Sequence, residues 1–152
     1  MFEGVPNVND RLYPQRPIVA ASVAVVRDGR ALIARRARAP LKGVYSLPGG
    51  AVEVGETLRQ AAARELFEET GLEVDPVFFI DHVEPIAREG ERIRAHYVIA
   101  AFAARWRGGE PRPTEELDAF AWVDAIEVCD YSTTPELPRI IKRAIDWEAS
   151  TR

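Results

Sequence analysis

The feature that most constrains the fold is the most apolar run of the chain, IVAASVAVV, at residues 18–26. It is much shorter than the about 20 residues that a membrane-spanning helix needs. β-Branched residues are frequent in it, and the following RDGR contains an Asp-Gly pair of the kind favoured in tight hairpin turns. We therefore predict a buried strand at 18–26, a turn at 27–30 and a returning strand at 31–34.

The remaining chain alternates further predicted strands with two predicted helices. Apolar residues recur at helical spacing in the second helix, and Gly71 stands where a C-terminal cap should follow the first. This order suggests an α+β fold or an α/β/α sandwich in a single domain over residues 1–152. The predicted elements are an irregular arm at 1–17, strands at 45–50 (ending in a Pro-Gly-Gly turn), 77–84, 94–104 and 119–123, helices at 57–70 and 135–148, and an RGGE turn at 107–110.

Composition limits the classes of partner. The net charge of −4 argues against a stable nucleic-acid binder, although a local basic cluster or a bound cation can still attract a small anion. A single cysteine, Cys129, excludes an internal disulfide framework and a cysteine-rich zinc site. The first residues lack the apolar core of a signal peptide, so we expect a cytoplasmic protein with no membrane partner.

Three carboxylates lie close together on the first predicted helix. Residues three and four apart share a helix face, so Glu65, Glu68 and Glu69 should form one cluster. The opposite, apolar side should consist of Ala63 and Phe67, flanked by Ala62 and Leu66. Like charges at this range favour protonation or cation binding, and oxygen ligands without His or Cys suit Mg²⁺ or Mn²⁺. An isolated triplet of this kind is more often a solvated acidic surface, so the triplet alone does not decide.

The spacing around the triplet is more specific. Gly50 is followed after five residues by Glu56, and after seven more by RELFEETGL, which ends at Leu72. These 23 residues resemble the signature of the Nudix (MutT-like) hydrolase family at every defining position. The resemblance implies an α/β/α sandwich with a mixed central sheet, and cation-dependent hydrolysis of a nucleoside diphosphate linked to another moiety.

The resemblance also implies roles for individual residues. Glu65, Glu68, Glu69 and the Gly50 carbonyl are expected to bind the metal, most simply Mg²⁺, with Mn²⁺ possible. The opposite charges of Glu56 and Arg64 are expected to form a structural pair that holds the loop to the helix. The glycines at 49, 50 and 55 are expected to permit a tight loop between strand and helix.

Residues outside the signature complete the candidate site. A carboxylate must accept the proton of the attacking water, and both Glu65 and Glu116, on the loop PRPTEELD, are candidates. Arg35, Arg36 and Lys42 precede the signature in a basic loop, where they could contact substrate phosphates or a terminal ribose. A solvated, charged strand end explains the same three residues equally well.

The substrate is less constrained than the reaction. The segments RPIVAASVAVVRDGRALIARR and HYVIAAF look like the ADP-ribose pyrophosphatase-like branch, although Pro85 lies closer to the signature than the corresponding proline of those enzymes. Hydrolysis of ADP-ribose to AMP and ribose 5-phosphate is the leading hypothesis. The alternatives are a (d)NTP pyrophosphohydrolase that releases NMP and pyrophosphate, and a non-catalytic Nudix ligand-sensing module. A nucleotide is the expected partner in each case, and a homodimer is possible.

Overall fold

The computed structural model describes residues 11–152, so residues 1–10 of the predicted arm lie outside the described part. Within that part the chain forms a sheet with two α-helices and a short 3-10 helix. The strands are β1 (Ile18–Arg27), β2 (Arg30–Arg36), β3 (Tyr45–Ser46), β4 (Gly49–Ala51), β5 (Phe78–Val83), β6 (Ile86–Glu89), β7 (Arg92–Arg105) and β8 (Leu117–Val123); the helices are α1 (Leu58–Thr70), the 3-10 helix (Glu127–Asp130) and α2 (Leu137–Ser150).

The predicted hairpin between the first two strands is confirmed. Arg27 pairs with Arg30 across the turn in an antiparallel ladder. Asp28 and Gly29 both have positive φ, 50° and 76°, as the type of turn that matches strand twist requires. The local sequence therefore accounts for this turn without tertiary contacts.

The sheet is mixed, as predicted. Its main path runs β3-β2-β1-β7-β5, with β4 on β1, β6 on β7 and β8 on β2. β1 and β7 are parallel, whereas the other pairs are antiparallel.

Both faces of the sheet are covered. Alternate residues of β1 point to opposite sides: Val23 and Val25 belong to the core that includes Leu66 of α1, and Val26 belongs to the core that includes Ile141 of α2. This explains why β1 is apolar at every position before Arg27 except Ser22, rather than alternating. The predicted α+β class and α/β/α sandwich are confirmed.

The hydrogen bonding of β1 passes from β2 to β4 beyond the hairpin. β1 pairs with β2 only at its C-terminal end, while Ala20 to Ser22 pair with β4. β2 meanwhile pairs with β3. The connection between β3 and β4 is held by the Val23 amide, which donates to the Pro48 carbonyl at 3.1 Å. β1 and β2 thus separate beside β4, where the signature begins.

The predicted Pro-Gly-Gly turn is wrong, because Gly49 and Gly50 form β4. A Cβ at Gly49 would lie 2.4 Å from the Ala21 carbonyl oxygen, so glycine is required there by close approach to β1. Gly55, with φ of +86°, is the glycine of this segment that serves a left-handed turn. The pair of Gly49 and Gly50 therefore permits close packing of β4 rather than the tight loop that was expected.

Two further predictions differ from the structure. β6 was not predicted, because its four residues are exposed and show no apolar alternation; it forms by pairing with a β7 that is longer than expected. The segment predicted as an RGGE turn contains a bend at Gly108, but it does not join neighbouring strands. β8 pairs with β2 rather than with β7, so residues 106–116 connect distant strands of the sheet.

Helix α1 begins and ends with recognisable caps. The Thr57 hydroxyl accepts from the Gln60 amide, and the Gln60 side chain accepts from the Thr57 amide, which is a capping box. The helix ends at Gly71, whose φ is +79° and whose amide donates to the Phe67 carbonyl at 2.8 Å. The cap predicted at Gly71 is confirmed.

The predicted buried face of α1 is right at its flanks, Ala62 and Leu66, and wrong at its centre. Phe67 is 51% exposed and Ala63 only partly buried, whereas Ala61, Ala62 and Leu66 are fully buried. The buried face therefore lies beside Glu65 and Glu69 rather than opposite them. This placement partly removes the two carboxylates from water.

Neither α-helix of the described residues is long and apolar enough to cross a membrane.

We expect Leu66→Ala to lower the free energy of unfolding by about 2–5 kcal/mol, because it opens a cavity in the core. Phe67→Ala, the matched control one residue away, should cost less than about 1 kcal/mol, since this side chain is half exposed. Urea unfolding of both variants gives the two values. An equal or larger cost for Phe67→Ala would contradict the assignment of the buried face.

Candidate active site

The carboxylate of Glu65 lies directly on the backbone of β4. A Cβ at Gly50 would lie 2.4 Å from the Glu65 Cδ and 2.6 and 2.7 Å from its two oxygens. A side chain at position 50 would force the Glu65 carboxylate to move away from this contact. The first glycine of the signature and its first helical glutamate are therefore in direct contact.

Glu69 is the most strongly perturbed carboxyl of the cluster. Burial raises its pKa to about 8, and the neighbouring charges of Glu65 and Glu116 act in the same direction. The Gly49 amide donates to Glu69 Oε2 at 3.2 Å and, with the charge of Arg36, partly opposes the rise. A bound cation would relieve the same cost.

Arg64 ties the loop before α1 to the helix. Its Nε and Nη2 donate to the two carboxylate oxygens of Glu56 at 2.7 and 3.0 Å, and Nη2 also donates to the Ala51 carbonyl at 3.1 Å. This bidentate pair holds the pKa of Glu56 below its usual value. Glu56 in turn accepts from the Glu53 amide at 3.1 Å, which closes the loop.

The remaining nitrogen of Arg64 contacts the acid cluster. Nη1 donates to Glu65 at 2.9 Å and to Glu68 at 3.2 Å. Burial nevertheless raises the pKa of Glu65, whose side chain is 15% exposed, more than Arg64 lowers it. One guanidinium thus contacts both the loop and two of the three clustered carboxylates.

The fit of a divalent cation can be judged from the donors. No group of three His, Cys, Asp or Glu side chains within residues 11–152 is arranged to hold a metal ion as it stands. Glu65 and Glu68 are turned towards Arg64, while Glu69 is turned towards Gly49. The chemistry nevertheless fits, since all the donors are oxygens and the buried carboxyl of Glu69 lacks a cationic hydrogen-bond partner among these residues. Metal binding here remains a prediction.

The three predicted substrate-binding cations lie in two places. The charge of Arg36 acts on Glu69, and its Nε donates to the Pro40 carbonyl at 3.0 Å. The Nε of Arg35 instead donates to Asp118 Oδ1 at 2.7 Å. Lys42 is exposed, and its charge lowers the pKa of Asp118. Of these three predicted substrate-binding residues, Arg36 is thus the one associated with the acid cluster.

Glu116 lies near the cluster, at the start of β8. Its carbonyl accepts from the Ala37 amide at 2.9 Å, which joins this loop to the basic loop. The side chain is exposed and lies 3.6 Å from Arg38 Nη1. Its charge contributes to the raised pKa of Glu69, so the two carboxylates interact.

Two charged residues near these groups have no feature in the sequence that singles them out. Arg11, at the start of the described chain, carries a charge that lowers the pKa of Glu65. Asp118 pairs with Arg35 through an irregularity in strand pairing that has no sequence signal. Neither belongs to the signature, and neither lies in a periodic segment that would have predicted its neighbours.

Comparison with known proteins agrees with this geometry. The family model described as NUDIX domain matches residues 16–147, which contain all the predicted site residues. The chain is 47% identical over 142 residues to an ADP-ribose pyrophosphatase of Methanocaldococcus jannaschii, covering 91% of this chain and 78% of the relative. It is 40% identical over 119 residues to putative 8-oxo-dGTP diphosphatase 2 of Mycobacterium tuberculosis, covering 77% and 80%.

The fold comparison gives the same result. The crystal structure of a MutT NUDIX hydrolase from Burkholderia pseudomallei superposes with a TM-score of 0.72 at 29% identity, covering 85% of this chain and 98% of that one. The predicted family is therefore confirmed: the chain belongs to the Nudix family of pyrophosphohydrolases.

Proposed function

We propose that this Nudix pyrophosphohydrolase cleaves ADP-ribose to AMP and ribose 5-phosphate. The observation that carries the choice of substrate is the 47% identity to an ADP-ribose pyrophosphatase, which extends over 91% of the chain. The buried carboxylates against β4 and the adjacent Arg36 support cleavage of a diphosphate at this place.

The proposed cation site consists of Glu65, Glu68, Glu69 and the Gly50 carbonyl, and Mg²⁺ is the preferred ion. When bound, such a cation neutralises the diphosphate and lowers the pKa of a coordinated water. The pair of Glu56 and Arg64 would hold the loop and the carboxylates in register, because it connects both through short hydrogen bonds.

Arg36 is proposed to bind the diphosphate. Its Nε is held by the Pro40 carbonyl, and its two terminal nitrogens make no hydrogen bond within the described residues. A guanidinium fixed on one side presents its terminal pair in a geometry that matches phosphate oxygens.

Glu65 is the better candidate for accepting the proton of the attacking water. Burial raises its pKa, which makes it a stronger base, and it contacts the β4 backbone, as Glu69 does. Glu116 is exposed, and Arg38 at 3.6 Å partly neutralises it. We therefore assign Glu116 an electrostatic influence on the cluster rather than the role of base.

A second substrate class is favoured by one observation. The 40% identical relative is named a putative 8-oxo-dGTP diphosphatase, which supports a (d)NTP pyrophosphohydrolase as the alternative. Incubation with Mg²⁺ and ADP-ribose, dGTP or 8-oxo-dGTP, with products identified by mass, separates the two. Preferred release of AMP from ADP-ribose supports the proposal. Cleavage of the triphosphates alone overturns the choice of substrate, and binding without turnover would indicate a sensing module.

We expect Glu69→Gln to lower kcat for the preferred substrate by at least about a hundredfold, because it removes a proposed metal ligand from the cluster. Glu73→Gln is the matched control, since Glu73 is an exposed carboxylate on the loop after α1. Steady-state kinetics at saturating Mg²⁺ measure the effect. Equal kcat values for wild type and Glu69→Gln would refute the proposed mechanism.

The choice of base predicts an order of effects. We expect Glu65→Gln to lower kcat about 10²- to 10⁴-fold and Glu116→Gln less than about tenfold, because the former removes the proposed proton acceptor and metal ligand whereas Glu116 is assigned neither role. Both are compared at saturating substrate and Mg²⁺. A larger loss in Glu116→Gln would reverse the assignment.

The raised pKa of Glu69 predicts how stability depends on pH without a cation. Folded Glu69 keeps its proton up to about pH 8, whereas the unfolded chain loses it near the ordinary pKa of 4.5. Because the folded state then binds the extra proton, the free energy of unfolding should fall as pH rises through this window. The slope is at most about 1.4 kcal/mol per pH unit.

Glu69→Gln lacks this ionisation, so its unfolding free energy in EDTA should fall less between those pH values. Urea unfolding of both proteins across the window isolates the contribution of Glu69, since other groups titrate in both. Parallel curves would show that the Glu69 pKa is not raised in the folded chain.

A further inference from the structure

A β-bulge at the end of β2 brings an unexpected carboxylate to the protein surface. Along the ladder with β8, Ala34 pairs with Phe120 and Arg35 with Ala119, but Arg36 then pairs with Leu117. One residue of β8, Asp118, is therefore left without a partner. Bulges of this kind redirect a side chain and occur often beside active sites.

The redirected Asp118 side chain contacts Arg35, and each of the two side chains uses one atom in this contact. Arg35 Nε donates to Asp118 Oδ1 at 2.7 Å. Within residues 11–152, the two terminal nitrogens of Arg35 and the second oxygen of Asp118 make no hydrogen bond to another residue. The side chains are 41% and 42% exposed, so these free atoms are accessible to a ligand.

The pair is ionised and borders the basic loop. Arg35 and, more weakly, Lys42 hold the pKa of Asp118 below its usual value, so Asp118 is a carboxylate at neutral pH. Arg35 of β2 pairs with Tyr45 of β3. The Tyr45 ring contacts the Tyr131 ring edge-on, with 5.0 Å between the ring centroids. The surroundings thus combine charged donors and acceptors with aromatic surface.

Arg35 is next to Arg36 in sequence but has a different environment. Neighbouring residues of a strand point to opposite faces, and Arg36 is the one associated with Glu69. Since β2 ends at Arg36, both arginines border its exposed end. A substrate that is bound through its diphosphate at Arg36 and extends around the end of β2 would bring its attached groups to the pair of Arg35 and Asp118.

We propose that Arg35 and Asp118 form a subsite for a vicinal diol of a ribose in the substrate, an inference that rests on the proposed function. Each ribose hydroxyl can donate and accept, so the free Asp118 oxygen accepts from one hydroxyl while an Arg35 terminal nitrogen donates to its neighbour. Asp118 has a second, positioning role, because it fixes Arg35 through Nε. A 2′-deoxynucleotide has no such diol and gains nothing from this subsite.

The test compares two substrates in matched variants. Asp118→Asn and Arg35→Met should each lower kcat/KM for ADP-ribose by about tenfold, mainly through KM, as expected for one lost charge-assisted hydrogen bond. The ratio of kcat/KM for ADP-ribose to that for dGTP should fall similarly. Asp118→Glu, which keeps the carboxylate, should recover part of the loss relative to Asp118→Asn.

Asp146→Asn is the control for an exposed ion-paired aspartate, since Asp146 accepts from Lys142 on α2 at 2.6 Å. Its kinetics should match wild type, and thermal melting confirms that each variant is folded. An unchanged KM in Asp118→Asn, or an equal loss for ADP-ribose and dGTP, overturns the subsite.

If ADP-ribose is not the substrate, the kinetic comparison gives a different result. Wild type that cleaves dGTP but not ADP-ribose overturns the proposed function, and calorimetric titration with ADP-ribose then decides the subsite. Weaker binding by Asp118→Asn than by wild type retains the subsite. Equal binding, or no binding by either protein, overturns it.

Discussion

The arrangement of the site depends on the close contact between Gly50 and the Glu65 carboxylate. That contact requires α1 to lie directly on β4, which is possible because Gly49 also lacks a side chain against β1. The fully buried Leu66 anchors the same part of the helix in the core. The carboxylates are therefore presented from a rigid, packed element rather than from a mobile loop.

This packing has an electrostatic consequence. Partial burial of Glu65 and Glu69 raises the pKa of both, and their mutual repulsion adds to the cost at Glu69. Arg64 compensates on one side of the cluster only, since its hydrogen bonds reach Glu65 and Glu68 but not Glu69. Glu69 thus has no cationic hydrogen-bond partner among the described residues, and the proposed cation would supply the missing positive charge.

The parts of the fold that could be predicted are those governed by neighbours in sequence. The Asp28-Gly29 turn and the cap at Gly71 follow from backbone conformations that few residues adopt. The face of α1 that is buried was predicted only in part, because Ala62 and Leu66 are buried as expected whereas Phe67, at the centre of the predicted face, is half exposed. Which face enters a core depends on where the sheet lies, and helical periodicity does not contain that information.

By itself the sequence determined the chemical inventory of this protein: the spaced glutamates with Gly50, the family they indicate and the strand and helix types that carry them. Tertiary structure decided the environments. It placed Arg35 and Arg36 in different environments and partly buried Glu69. Through a bulge, it also brought Asp118 into hydrogen-bonding contact with Arg35. The physical reason is that solvent exposure, charge separation and strand register are set by distant segments, whereas turns, caps and motif spacing are set locally.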